Sequence, residues 1–397
     1  MQKTYKFRLY PTKENEVLLS QTLEYCRLVY NHLLEKLKKQ DKPDRYELQN
    51  LLPDLKKQHP ELTGVYSKAL QYDVYRLFSA RKALHELKKQ GRKIGRLRFK
   101  SANRFKTIHY NQSGFKLTMT GKRLDLLHIS KVGEIPIMVH RPVEGTIKQV
   151  VVKHYPSGKW FACITVEQKD VVVQRQPIKN AVGLDMGLDE FLTDSDRRTI
   201  ENPVYLKKSL KRLKQRQRHL SKTAKGSRNR AKRIVRVARL HEHISNQRDD
   251  FSHKLSRWYV NNYDLIAVEQ LNIGGMISSL DADTTLTKVE RRHIRRKIHD
   301  VAWYRFHQML SCKAEWAGKT FMRVDPSYTS QIQKYGSDLD RDYNASLNIL
   351  ERALQQYVGQ GLPELTPVDI RPLRELITTP ASLVVETGSP FLELRKG

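Results

Sequence analysis

Three acidic residues that end or begin ordered segments constrain the second half of this chain more than any other feature. Asp185 closes the apolar run that starts at Ala181, and Glu269 closes the run that starts at Tyr263. Both runs predict buried strands, whereas Asp342 precedes residues that predict the first turns of a helix. Each acid alone is explained as an ordinary strand-end or N-cap residue. Three together, on strand, strand and helix, favour a functional cluster, because a buried carboxylate is costly unless something pairs with it.

Such a cluster suits hard divalent cations, which prefer carboxylate oxygens as ligands. Two such ions a few ångströms apart stabilise both the attacking and the leaving oxygen of a phosphodiester. The three acids therefore predict cleavage of nucleic acid, with two Mg²⁺ ions held by Asp185, Glu269 and Asp342.

The charge of the chain indicates a polyanionic partner. Its 397 residues carry a formal net charge of +31 and give a pI of about 10.0, more than a small acidic substrate requires. Nucleic acid is the leading candidate, and a basic protein of the membrane surface is the alternative. No apolar run is long enough to predict a transmembrane helix. With nucleic acid as the leading candidate, no membrane partner is expected. The isolated Cys26, Cys163 and Cys312 offer no disulfide framework and predict a reducing compartment.

The first half predicts one strand, a helical insert and then antiparallel strands. Residues 3–9 alternate between apolar and basic side chains, as in a half-buried strand with a basic outer face. Residues 12–92 form the insert, in which Thr12 predicts a helix start and a second helical stretch runs from Tyr66 to Lys89. From Gly95 onward, short alternating runs broken by glycines predict a small β-barrel that includes the first strand.

Cations and aromatic residues are interleaved between Arg96 and Tyr110. This mixture suits backbone phosphates together with stacked bases, with Arg98, Lys100 and Lys106 as candidate contacts. A solvated strand face with its aromatic side chains turned inward explains the pattern equally well.

A basic run over residues 207–240 contains fifteen Lys or Arg and no acid. An apolar stripe persists through the run, formed by Leu210, Leu213, Leu220, Ile234, Val237 and Leu240. The pattern predicts a basic helical hairpin over residues 203–258 that lies on nucleic acid, with Arg228, Arg230 and Arg233 beside the cleavage groove. A solvated or disordered charge run is the alternative, and the apolar stripe argues against it.

The last third predicts a helix over His293–Trp316 and a strand over Lys319–Val324. Residues 356–397 lack periodicity and are rich in proline, which predicts a loosely attached tail. The strands and helices together predict an α/β multidomain protein.

The order of these elements is that of an RNase H-like nuclease, and five short motifs resemble the TnpB family. That family comprises RNA-guided nucleases encoded by insertion sequences, ancestral to the type V CRISPR effectors. The motifs are Gly183-Leu-Asp-Met-Gly, Val268-Glu-Gln-Leu-Asn-Ile-Gly-Gly-Met, Tyr304 through Trp316, Val324-Asp-Pro-Ser-Tyr-Thr-Ser-Gln and Asp340-Arg-Asp-Tyr-Asn-Ala-Ser-Leu-Asn-Ile. Each motif alone is weak, whereas five in the family's order, spread over nearly the whole chain, are specific.

The resemblance implies a set of domains and partners. The domains are a β-barrel wedge domain (1–11 and 93–175), a helical recognition domain (12–92) and a RuvC nuclease domain (176–355). The implied partners are a guide RNA from the transposon end and double-stranded target DNA, cleaved next to a short adjacent motif. The residues that match the family's readers of that motif are Ser67, Gln71 and Thr107, with Arg76 as a phosphate contact. The implied location is a prokaryotic cytoplasm, in association with the nucleoid.

The chain departs from the family's pattern in two places. Gln270 stands where the family commonly has Asp, which leaves the metal ligand Glu269 in place. The family carries a ribbon with two Cys-x-x-Cys pairs before its last catalytic acid, whereas here only Ile332–Arg341 precedes Asp342. Without a four-ligand set, no zinc is expected there. The groove should also be more open on that side.

Three functions stay open on the sequence. The first is an RNA-guided, Mg²⁺-dependent DNA endonuclease. The second is an RNA-guided DNA-binding protein or repressor with weakened or lost cleavage, which the intact acids oppose and the missing ribbon leaves open. The third is an RNase H-like recombinase that works without RNA, against which the large basic front half argues.

Overall fold

The computed structural model describes residues 2–40, 44–168, 178–326 and 340–359. The chain divides into two compact units, of which the first contains residues 1–171 and 226–239 and the second residues 172–225 and 240–397. No helix within the described ranges is long and apolar enough to cross a membrane.

A seven-stranded antiparallel sheet forms the first unit. Its strands are β1 (Gln2–Leu9), β2 (Thr107–Asn111), β3 (Phe115–Thr118), β4 (Asp125–Ile129), β5 (Gly133–Met138), β6 (Thr146–His154) and β7 (Trp160–Glu167). They follow the order β2-β6-β7-β1-β5-β4-β3. The edge strands β2 and β3 are joined in the chain by the single turn Gln112–Gly114, so the sheet curls into a nearly closed barrel.

Alternation along β1 explains its central place in this barrel. Tyr5, Phe7 and Leu9 are at most 2% exposed and fill the interior, whereas Lys6 is exposed. The predicted first strand, with its basic outer face, is therefore confirmed as part of the barrel.

Three helices follow β1 in the chain: α1 (Lys13–Lys39), α2 (Arg45–Gln58) and α3 (Ser67–Lys89). The predicted start of α1 is confirmed, because the Thr12 side chain accepts a hydrogen bond from the Asn15 N–H in a capping box. Helix α2 was not predicted from the sequence, because a proline such as Pro53 usually indicates the end of a helix. The buried side chains of α2 are Leu48, Leu52 and Leu55.

The aromatic residues before β2 do not all follow the same one of the two explanations given for them. Residues 92–101 have no regular secondary structure. Phe105 is 3% exposed and turned inward, but Phe99 is 51% exposed, with the Lys38 ammonium 4.1 Å from its ring centroid. The inward-facing explanation therefore holds for Phe105 and fails for Phe99.

The second unit contains a five-stranded mixed sheet. Its strands are β8 (Ala181–Asp185), β9 (Glu190–Asp194), β10 (Thr199–Glu201), β11 (Leu265–Glu269) and β12 (Thr320–Val324). They follow the order β10-β9-β8-β11-β12. Strands β8, β11 and β12 are parallel to one another, whereas β9 and β10 run antiparallel to their neighbours.

Helices cover both faces of this sheet. The helices described after β10 are α4 (Tyr205–Ser221), α5 (Arg228–Asn262), α6 (Ile273–Ala282), α7 (Lys288–Val301), α8 (Trp303–Trp316) and α9 (Arg341–Gly359). One face packs Val182 and Leu184 in a cluster with Phe306 of α8. The opposite face packs Ala267 in a cluster with Ile349 of α9.

Several predicted helices differ from the observed ones. The helix expected over His293–Trp316 is two helices, because Ala302 adopts a left-handed conformation (φ 58°) that ends α7 and starts α8. This break lets α7 and α8 bury side chains in one cluster. The final helix continues to Gly359, beyond the predicted boundary at 355, and the rest of the predicted tail lies outside the described residues.

The predicted basic hairpin corresponds to α4 and α5, and α5 contributes residues to both units. Its apolar stripe is only partly buried. Leu213, Val237 and Leu240 are at most 9% exposed, whereas Ile234 is 45% exposed. The apolar stripe is therefore present on ordered helices, but it is not buried at Ile234.

Candidate active site

Asp185 and Glu269 are the last residues of two neighbouring parallel strands, β8 and β11. Leu184 pairs with Val268, so the two acids follow directly at the same edge of the sheet. The residues just before each acid are buried, and each strand becomes half-buried at the acid itself. The carboxylates therefore lie where the sheet opens to solvent.

The two acids also share one face of the sheet, because successive side chains of a strand point to opposite faces. Leu265 and Ala267 of β11 pack in the cluster with α9, and Glu269 continues their alternation. Gly183 of β8 pairs with Ala267, so Asp185 lies on the same face. That face is the one covered by α9.

Helix α9 contributes Asp342 from its first turn. Asp340 fixes the start of this helix, since its Oδ1 accepts hydrogen bonds from the backbone N–H groups of Asp342 (3.0 Å) and Tyr343 (3.1 Å). The helix lies very close to β8. A Cβ atom added at Gly183 would be 2.2 Å from the backbone oxygen of Ser346, so only glycine permits this approach.

The electrostatics of Asp185 indicate that the three acids converge. Burial, together with the negative charges of Asp342 and Glu269, raises the pKa of Asp185 to about 7. A hydrogen bond from the Met186 backbone and the charge of Arg341 act in the opposite direction. Burial also raises the pKa of Glu269, and the charge of Arg352 opposes that shift. Mutual repulsion of this kind is what a bound divalent cation relieves.

Two arginines of this site, Arg341 and Arg352, were not predicted from the sequence. Both belong to α9, and Arg352 also donates a 2.9 Å hydrogen bond to the Asp325 carbonyl oxygen. Nothing in their local sequence marks them, because the packing of α9 on the sheet decides which side chains approach the acids.

The acids do not form a completed ligand set. Within the described ranges, no group of three or more His, Cys, Asp or Glu side chains is gathered closely enough to hold a metal ion. Asp185 lies within electrostatic range of both Asp342 and Glu269. Residues 327–339, which lie within the stretch where the resemblance implies a ribbon, are outside the described residues.

The predicted motif readers lie on α3 and β2 of the first unit. Arg76 donates to the backbone oxygen (3.1 Å) and the hydroxyl (3.0 Å) of Thr107, so these two residues meet. Ser67 is exposed and accepts a 2.6 Å hydrogen bond from Lys56, and Gln71 is half-buried. Their roles stay predictions, and a phosphate would compete with Thr107 for Arg76.

The other predicted nucleic-acid contacts are spread over several elements. Arg98 and Arg228 are exposed, whereas Lys100, Lys106, Arg230 and Arg233 are half-buried. The Lys100 backbone is fixed by α1, since its carbonyl oxygen accepts hydrogen bonds from Arg27 and Asn31. Burial lowers the pKa of Lys106. Their contacts with nucleic acid also stay predictions.

Three family models match the chain in succession. A helix-turn-helix domain model matches residues 1–42, the OrfB_IS605 probable transposase model matches 161–280, and the Cas12f1-like TNB domain model matches 303–349. In the described part of the first segment, the structure has strand β1 and the single helix α1.

Curated relatives match over long stretches. A protein of Streptomyces pristinaespiralis named as an RNA-guided DNA endonuclease is 28% identical, over 97% of this chain and 96% of its own length. The InsQ protein of Escherichia coli (strain K12), named in the same way, is 32% identical over 60% of this chain and 58% of its own length.

A solved structure shares the fold. The Cas12f1 chain of a complex with sgRNA and target DNA superposes with a TM-score of 0.52 at 12% identity, covering 88% of this chain and 98% of that chain. The transposase and TNB models, together with the relatives named as RNA-guided DNA endonucleases, lead to one assignment: the chain belongs to the TnpB family.

Proposed function

We propose that this chain is an RNA-guided DNA endonuclease of an insertion sequence, which cleaves target DNA next to a short adjacent motif. The observation that carries the proposal is the convergence of Asp185, Glu269 and Asp342 at one edge of the second sheet. Two relatives named as RNA-guided DNA endonucleases support it.

The five-stranded sheet supports an RNase H-like (RuvC) assignment for residues 176–355. Its three parallel strands, extended by two antiparallel ones, place the acids on adjacent strand ends under one helix. The seven-stranded barrel and helices α1–α3 are the corresponding wedge and recognition domains.

Two Mg²⁺ ions bound at the acids would stabilise the charge that develops on the attacking and leaving oxygens of the phosphodiester. Strand pairing brings the backbones of Asp185 and Glu269 to the same end of adjacent strands, and Asp342 lies in the first turn of α9, which covers the same face. Arg341 and Arg352 moderate the negative charge of the cluster. Hydrolysis in this arrangement leaves a 5′ phosphate.

The formal net charge of +31 supports nucleic acid as the partner. We assign most of this charge to the guide RNA and its heteroduplex with DNA, which would be held by backbone contacts rather than by base reading. Affinity should then fall steeply with salt and depend little on guide sequence. The proposed place of action is the prokaryotic cytoplasm, at the nucleoid.

The test is purification of the full chain together with a transcript of its transposon end. Sequencing of the bound RNA, followed by cleavage of a DNA library with Mg²⁺ or with EDTA, should give a structured RNA and Mg²⁺-dependent cuts beside one short motif. Guide-dependent binding without cuts would favour the repressor. Strand transfer without RNA would favour the recombinase.

Metal analysis tests the missing ribbon separately. We expect well below one zinc per chain, because Ile332–Arg341 offers no thiolate or imidazole ligands. A more open groove should also position the scissile strand less well and slow the cut relative to relatives with a ribbon. One zinc per chain would contradict the expected absence of a zinc site. An unchanged cleavage rate after a ribbon is grafted back would contradict the expected effect of the open groove.

A further inference from the structure

The turn between β9 and β10 is held rigidly against α5. The Asp194 carboxylate is fully buried and accepts hydrogen bonds from the backbone N–H groups of Asp196 (3.0 Å) and Arg198 (2.9 Å) and from the Tyr259 hydroxyl (3.0 Å). The Arg198 guanidinium carbon lies 4.9 Å from the ring centroid of Trp258, also in α5. The position of the turn is therefore fixed from one face of the sheet.

Arg197 in the same turn adopts a left-handed conformation, with a φ of 64°. Glycine adopts this conformation readily, whereas a side chain makes it unfavourable. Arg197 is exposed, and its guanidinium carbon lies 4.9 Å from the ring centroid of Tyr343, within the range of a cation–π contact. This contact reaches the opposite face of the sheet, where α9 lies.

The contact connects the surroundings of two of the acids. Strand β9 ends at Asp194, just before the turn, and its Thr193 pairs with Asp185. Tyr343 directly follows Asp342 in the first turn of α9. Asp194, the residue after Thr193, pairs with Leu184, and the turn that follows it therefore contacts the residue next to Asp342.

The close approach of α9 at Gly183 fixes the helix further along, at Ser346 and Leu350. The first turn lies beyond that contact, and its cap, Asp340, belongs to the same local segment. The contact between Arg197 and Tyr343 ties this first turn to the sheet.

We propose that Arg197 is a positioning residue, which holds Tyr343 and thereby sets how closely Asp342 approaches Asp185 for joint binding of divalent cations. The inference rests on the proposed function. Removal of the Arg197 side chain should weaken cation binding, while the rate at saturating cation changes much less.

The chain offers a matched control for backbone strain. Lys131, in the turn between β4 and β5 of the first unit, is also exposed and left-handed, with a φ of 67°. Replacement by glycine relieves the same kind of strain at either position. Only R197G removes a contact to α9.

The experiment compares R197G, K131G, Y343L and Y343F in the full chain with its guide RNA. It measures the melting temperature, Mn²⁺ binding by calorimetry and the Mg²⁺ dependence of cleavage. Both glycine variants should melt at or above the wild-type temperature. R197G and Y343L should bind Mn²⁺ about two- to fivefold more weakly and need about two- to fivefold more Mg²⁺, the scale of an exposed cation–π contact. Y343F keeps the ring and should bind like the wild type.

Wild-type Mn²⁺ affinity in R197G would overturn the proposal. A lower melting temperature in R197G alongside weaker cation binding would also overturn it, because the two together indicate a merely structural role. A wild-type chain that binds Mn²⁺ at the acids and never cuts would instead contradict the proposed function, and the binding comparison would still decide the role of Arg197.

Discussion

Each unit contains a carboxylate with a raised pKa, and the causes of the two shifts differ. Asp73 of α3, in the first unit, is 1% exposed, and burial raises its pKa to about 8. The neighbouring Arg76, whose Nε is 3.6 Å from Asp73 Oδ1, opposes the shift. At Asp185, in the second unit, two further acids add to the effect of burial.

The two carboxylates differ in the sign of the charges beside them. A carboxylate beside a cation in a closed core is typical of a structural position, because its surroundings reduce the shift. A carboxylate whose neighbours are other carboxylates, at an edge that opens to solvent, retains repulsion that a bound cation would remove. A raised pKa alone would not distinguish the two.

The largest expected effect tests this distinction directly. D185A should reduce cleavage on the order of 10³-fold or more, the scale of losing one member of a catalytic set. Guide and target binding should persist, because the basic surfaces are untouched. D73N is the matched control in the other unit and should cut at nearly the wild-type rate. Full cutting by D185A, measured with a programmed guide, would remove Asp185 from the site.

A second comparison uses one glycine from each unit. G183A forces a Cβ against the α9 backbone, whereas nothing lies within 4 Å of a Cβ added at Gly64. G183A should lower the free energy of unfolding by about 1–3 kcal/mol and displace Asp342, with a large loss of cleavage. G64A should leave both unchanged. Urea denaturation and cleavage assays check this, and wild-type behaviour of G183A would show that α9 can shift without harm.

A smaller effect is expected from the basic part of α5. Neutralising Arg228, Arg230 and Arg233 together should lower target cleavage more than guide binding. The salt dependence of target binding should also become shallower, by a slope of about one for each phosphate that an arginine no longer neutralises. The matched control neutralises Lys116, Lys122 and Arg123, which are exposed on β3 and the turn that follows it. Equal loss of guide binding would place α5 on the RNA, and no effect on either would favour a merely solvated helix.

The smallest effect on cleavage is expected at Asp73, which should act on stability instead. A folded state with a raised carboxyl pKa binds more protons than the unfolded state, so stability falls as pH rises between the ordinary value of 3.8 and about 8. Asp73 should contribute a loss of about 1.4 kcal/mol per pH unit within this window. The difference in unfolding free energy between D73N and the wild type should therefore grow from pH 5 to pH 7. A constant difference would show that Asp73 is ionised throughout.

Local pattern predicted much of the second sheet and of the candidate site. The strands ending at Asp185 and Glu269, and the helix that begins beside Asp342, appear where their sequences indicate. Buried strands and amphipathic helices are specified by neighbouring residues, which a sequence displays directly. Helix α2 was not predicted, because Pro53 lies within its sequence although the helix continues through it. The break at Ala302 was not predicted, because a left-handed residue ends α7 within a sequence that keeps a helical pattern.

By itself, then, the sequence determined the three acids, the elements that carry them and the excess positive charge that favours nucleic acid. Only the tertiary structure decided that Leu184 pairs with Val268 and that α9 lies against Gly183. It also placed Arg197 against Tyr343 and Arg352 within electrostatic range of Glu269, from distant parts of the chain. Strand register and helix packing depend on contacts between residues far apart in sequence, and the periodicity of a single segment holds no information about its partner.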